Sequence, residues 1–76
     1  MSRVNKFLSL KLHPLLSHRF KKLTNDEFNE CIEFINSNLN LSDSDFSAAL
    51  NTWKLDQPKT KNHNVMWSLI CESLVK

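Results

Sequence analysis

The chain of 76 residues contains no glycine. That absence excludes the glycine-rich loops whose backbone amides close around a phosphate. It also disfavours tight β-hairpins, whose two-residue turns rely on Asn-Gly or Asp-Gly. Helix ends and turns that need a left-handed residue are left with asparagine, the next most tolerant type. Asparagine stands at the expected breaks: Asn36, Asn38, Asn40, Asn51, Asn62 and Asn64. Cysteine is scarce. Cys31 and Cys71 each sit inside an apolar helical pattern, so they form no disulfide framework and read as small buried hydrophobes. A reducing, cytoplasmic setting is expected from that usage. No apolar run exceeds a few residues, so no segment is long enough to span a bilayer.

Charge of one sign is missing from whole stretches. Residues 1–23 hold Arg3, Lys6, Lys11, Arg19, Lys21 and Lys22 and no acid. Residues 24–50 hold Asp26, Glu27, Glu30, Glu33, Asp43 and Asp45 and no base. A net charge of +2 therefore conceals a polarised chain, whose basic end either meets an anionic partner or pairs with the acidic middle. The acid-free start, rich in Arg, Lys, Ser and Leu, has the composition of a mitochondrial transit peptide, but Pro14 interrupts its amphipathic run.

What is present is helical periodicity. Apolar content of 41% with 24% charged residues belongs to a globular chain. The length allows one small domain, whose core supplies only about 3–5 kcal/mol, so a homodimer or a larger partner is expected. From Pro14 to Leu23, the residues Leu15, Leu16, Phe20 and Leu23 form one stripe, with proline suited to the first turn. Thr24-Asn-Asp-Glu27 is a capping box that opens a helix carrying Phe28, Cys31, Ile32, Ile35 and Leu39. Ser42-Asp-Ser-Asp45 is an acidic variant, opening a helix with Phe46, Ala49, Leu50 and Trp53 on one face. Residues 57–63 read as a polar loop after the stop imposed by Pro58. A last helix over residues 64–75 turns Met66, Leu69, Ile70, Cys71 and Leu74 inward. Phe7 to Leu12 reads as extended or helical lead-in, with a short strand as the other option. The expected fold is all-α: a compact bundle of about four short helices at residues 14–76, preceded by a basic, apolar N-terminal arm at residues 1–13.

Helix starts account for most of the acidic block. Asp26, Glu27, Asp43 and Asp45 lie in first turns, where each carboxylate gains about 0.3–1 kcal/mol from the helix dipole. Lys21 and Lys22 suit a last turn by the same argument, whereas Arg3, Lys6, Lys11 and Arg19 have no such local role.

Chemistry-bearing patterns are sparse. His13 and His18 straddle Pro14, His63 stands alone, and neither Cys-x-x-Cys nor His-Glu-x-x-His occurs, so surface histidines are the expectation and no metal is assigned. No serine or cysteine has a positioned base, and the paired carboxylates are already explained as caps. The chain is read as non-enzymatic, with no cofactor and no small-molecule substrate.

Binding functions remain. Trp53 falls on an inward stripe, while Trp67 follows the inward Met66 and is expected to face outward or sideways, as interface hot spots do. Val4, Phe7, Leu8, Leu10 and Leu12 either close the core or dock on a second copy or a partner. The leading reading is a small regulator or adaptor that binds another protein through Phe7, Leu8 and Trp67. The alternative is a nucleic-acid binder whose phosphate contacts come from Arg3, Lys6, Lys11, Arg19, Lys21, Lys22, Lys59 and Lys61. A pI of about 8.7 is modest for that role. The two helices joined at Leu39–Ser42 have helix-turn-helix spacing, yet the second would lead into the phosphates with Asp43 and Asp45. Leu41-Ser42-Asp43 ahead of a helix, with Trp67 in a short last helix, resembles the layout of the small Hha-type nucleoid regulators. The resemblance is confined to those residues: the basic-aspartate signature of that family's third helix is missing and the spacing differs, so it implies no membership.

Overall fold

Five helices and one 3-10 turn make up residues 2–74, which the computed structural model describes. They are α1 (Arg3–Ser9), the 3-10 turn Leu10–Leu12, α2 (Ser17–Phe20), α3 (Asn25–Ser37), α4 (Asp43–Asp56) and α5 (Lys61–Glu72). The protein is an all-α bundle. Its radius of gyration, 11.5 Å, is close to the value of about 11 Å for a folded chain of this length.

Local chemistry starts each of the long helices. Thr24 accepts from the Glu27 N–H while its own N–H donates to the Glu27 carboxylate, which completes the expected capping box. Ser42 Oγ accepts from the Asp45 N–H at the start of α4. The start of α5 differs from expectation. Thr60 caps the helix by accepting from the His63 N–H, and its hydroxyl lies 2.7 Å from His63 Nδ1. The polar loop therefore shrinks to residues 57–60, with Lys61, Asn62 and His63 already helical. Val75, expected as the last helical residue, lies outside the described residues.

The asparagines do not serve as left-handed caps. Among the described residues none has positive φ. α3 ends at Asn38 with φ −124° and ψ 20°, and its side-chain amide donates back to the Phe34 carbonyl. Asn36, Asn51, Asn62 and Asn64 are inside helices. The stripe from Pro14 to Leu23 is also broken up. His13 Nδ1 accepts from the Leu15 N–H, which holds residues 13–16 in a turn and delays α2 to Ser17. Leu16 is buried there, but Leu15 is 73% exposed.

The core comprises Phe7, Cys31, Ile35, Phe46, Leu50, Met66, Leu69 and Ile70, contributed by α1, α3, α4 and α5. Phe7 has no exposed surface and meets Phe20 at 5.3 Å and Phe28 at 5.9 Å between ring centroids. Residues 2–13 are thus no free arm. Their helix is amphipathic about Val4 and Phe7, and a core this small has a Phe-sized place for it.

Arg3 ties the same helix to the corner between α3 and α4. Its Nη1 donates to the Leu39 carbonyl at 3.1 Å, and its Nη2 to the Leu41 carbonyl at 2.8 Å and to Asp43 Oδ1 at 2.9 Å. The guanidinium lies 4.5 Å from the centroid of the buried Phe46 ring. Asp43 is 71% exposed, so the ion pair itself is screened and weak. The carbonyls matter more.

We predict that Phe7→Ala costs about 3–5 kcal/mol, as much as a core of this size supplies, and abolishes the cooperative thermal transition seen by circular dichroism. Arg3→Ala is expected to cost about 2 kcal/mol and Asp43→Asn less than about 1 kcal/mol. Equal losses for the two substitutions would place the effect in the ion pair instead of the carbonyl contacts.

Candidate functional site

The basic N-terminal third is the natural place to build a site, and folding divides its side chains into three groups. The first belongs to the scaffold. Arg3 is consumed by the α3–α4 corner, and Phe7 is core, which removes both from any binding surface. Lys11 is partly committed, since its Nζ stands 4.1 Å from the Phe28 ring centroid and leaves the side chain exposed at the surface.

The second group is cationic and unpaired. Lys6 and Arg19 are half-buried, and Lys21 and Lys22 are exposed. Among the described residues the ion pairs are Arg3–Asp43 and a 3.8 Å contact between His63 and Glu30, neither of which involves these four. Lys59 and Lys61 are exposed as well and flank the start of α5, where Asn62 Nδ2 donates to Glu27 and His63 faces Glu30.

The third group is apolar. Leu8, Leu12 and Leu15 are 37%, 88% and 73% exposed, three of the five large exposed hydrophobics among the described residues. The backbone holds them outward. The 3-10 turn closes with the His13 N–H on the Leu10 carbonyl, and the His13 carbonyl then accepts from Leu16 and Ser17. Within that tight segment Leu16 turns onto the core while Leu12 and Leu15 are left at the surface. The site therefore keeps Leu8 from the sequence reading and gains Leu12 and Leu15. Leu15 was misplaced because a single helical stripe through residues 14–23 puts it inward.

Both tryptophans are half-buried against the core, Trp53 as its inward stripe predicts. Trp67 has Lys54 Nζ 4.0 Å from its ring centroid, and its indole Nε1 is buried without a hydrogen-bond partner among the described residues. The Trp53 ring meets Phe34 at 5.3 Å with a tilt of 43° and lines two surface depressions.

Helix-turn-helix docking finds no support in the geometry. The start of α4 carries the Arg3 contacts to the Leu41 carbonyl and Asp43, so a cation of α1 is already engaged at that end. Among the described residues no group of three or more His, Cys, Asp or Glu is placed to hold a metal ion, and no helix is long and apolar enough to cross a membrane. Burial pushes the Cys31 thiol up to about 12, and burial raises Cys71 as well. Both shifts are opposite to what a thiolate nucleophile needs. Glu27 is held below its ordinary range, chiefly by the Thr24 backbone N–H, which fits a cap and not a proton donor.

These thiols give a direct check on the packing. At about pH 8 an alkylating reagent should modify Cys71 before Cys31, which is fully buried. An unfolded thiol ionises near about 8.5, so the folded state binds the extra proton above that pH. Stability is then complete below about pH 8.5 and declines as pH rises toward 12. Replacing Cys31 with Ala should flatten that alkaline decline, measured by urea denaturation across the range. Comparison with known proteins finds no matching protein-family model, no matching curated protein and no matching solved structure.

Proposed function

We propose that this protein is a small, non-enzymatic intracellular regulator or adaptor that docks a partner protein on the face formed by Leu8, Leu12 and Leu15. The observation that carries the reading is the exposure of Leu12 and Leu15, at 88% and 73%, on a segment held outward by its own backbone bonds. Leu12 and Leu15 lie on either side of the His13 turn, and large apolar side chains left exposed in one region mark interaction sites. The charge around them selects the partner. Residues 1–23 hold no acid, and Lys11, Arg19, Lys21 and Lys22 flank the leucines in sequence. An amphipathic helix with apolar and acidic residues is the complement, with the charges steering encounter and the leucines supplying affinity.

The nucleic-acid reading keeps Lys6, Lys11, Arg19, Lys21 and Lys22 as its contacts and loses Arg3 to the fold. It explains the cations and leaves the exposed leucines unused. That is the reason to rank it second.

The deciding experiment uses Leu12→Asp/Leu15→Asp. Exposed positions tolerate such changes within about 0.5 kcal/mol each, so the thermal midpoint should hardly move. Binding of a synthetic acidic amphipathic helix, followed by fluorescence anisotropy, should fall at least about tenfold, and a charge-reversed peptide should not bind. Micromolar binding to random duplex DNA that collapses with salt and ignores the two aspartates would transfer the function to the phosphate contacts.

A further inference from the structure

The depressions that meet at Trp53 form the least explained feature of the surface. One, of about 260 Å³, is lined by Trp53, Pro58, Gln57, Asn64 and the cationic or polar Lys54, Lys59 and His63. The other, of about 310 Å³, is lined by Phe34, Ser37, Asn38, Glu30 and Glu33, and again by Trp53 and Gln57. Shared lining makes them two halves of one groove, and it shares no residue with the leucine face. Its floor is aromatic, because the Trp53 and Phe34 rings meet there at a tilt of 43°. Its charge is divided: no acid lines the first half and no base the second. His63 and Glu30, one from each half and 3.8 Å apart, mark the border.

Shape distinguishes the halves further. The lysine half is the more enclosed, bordered by Gln57, Pro58 and Lys59, while the glutamate half lies more open to solvent. A chain that enters over Glu30 and Glu33 reaches the cationic half at Pro58 and Lys59.

From this geometry we infer that the groove captures the C-terminus of a partner polypeptide. The terminal carboxylate meets Lys54 and Lys59 with the Gln57 and Asn64 amides as neutral donors, which is the charge-assisted bonding that fixes a carboxylate. The last side chain is apolar and rests on Trp53 and Pro58. A Lys or Arg upstream faces Glu30 and Glu33. A terminal carboxylate is borne next to its own last side chain, and Lys54 and Lys59 line the same depression as Trp53 and Pro58.

A library of short random peptides displayed with free C-termini, and the same library amidated, tests this on the whole protein. Selection from the free-acid library should enrich an apolar last residue and a basic residue upstream, and the amidated library should give no such enrichment. Against a selected peptide, Lys59→Glu should weaken binding at least about tenfold. Lys59 is exposed and outside the core, so its thermal midpoint should stay unchanged. Trp53→Phe, which keeps an aromatic floor, should retain most of the affinity. Equal enrichment from both libraries, or none from either, overturns the inference. Binding of single-stranded oligothymidylate that Lys59→Glu abolishes, with no peptide selected, would overturn it in favour of base stacking on Trp53.

Discussion

The fold depends on the first helix being inside the core. Without Phe7 the aromatic group it forms with Phe20 and Phe28 has no centre, and α3 and α5 lose the side chain packed between them and α1. In a chain of 76 residues there is no spare apolar layer to close such a gap. Arg3 adds the polar half of the same constraint. The turn from α3 to α4 leaves the Leu39 and Leu41 carbonyls for a partner from outside the turn, and the Arg3 fork supplies both with donors from the far end of the sequence. A cation that local patterning cannot explain is therefore explained by a tertiary contact.

Features decided within one turn of backbone were legible in the sequence. The caps at Thr24 and Ser42 need only a side chain and an amide three residues on, and both form as the spacing predicts. The inward stripes of α3, α4 and α5 follow for the same reason, because helical period and apolar identity are enough to orient them. The start of α5 was missed although it uses the same device. Thr60 is answered by His63, where the pattern expects Glu or Gln, so the cap was hidden inside a run that Pro58 and three polar residues made look like loop.

Features decided across the chain were not legible. Arg3 reaches over 36 to 40 positions to its partners, and no local window contains both ends. Phe7 and Leu8 are adjacent residues with opposite fates, one in the core and one outside, and only the docking direction of α1 separates them. The tryptophans show the same limit. Lys54 comes from another helix to cover Trp67, while the linker after α4 leaves Trp53 at the bottom of a groove. Residue type and periodicity carry no information about either neighbour.

The two candidate surfaces have a common physical origin. Both stand where a proline enforces a break: Pro14 beside the leucines and Pro58 beside the groove. At such breaks the backbone is fixed by a few hydrogen bonds to itself, as at His13 with Leu15, Leu16 and Ser17 and at Thr60 with Pro58. The side chains there are consequently released from core packing without being left mobile in position. Exposed apolar groups on ordered backbone bind with less ordering cost than the same groups on a free arm. A basic arm at residues 1–13 would have had to fold on contact. A bundle that has already buried Phe7 and clamped Arg3 presents Leu12 and Leu15 on backbone ordered during folding, and under the proposed docking role that ordering cost does not recur on binding.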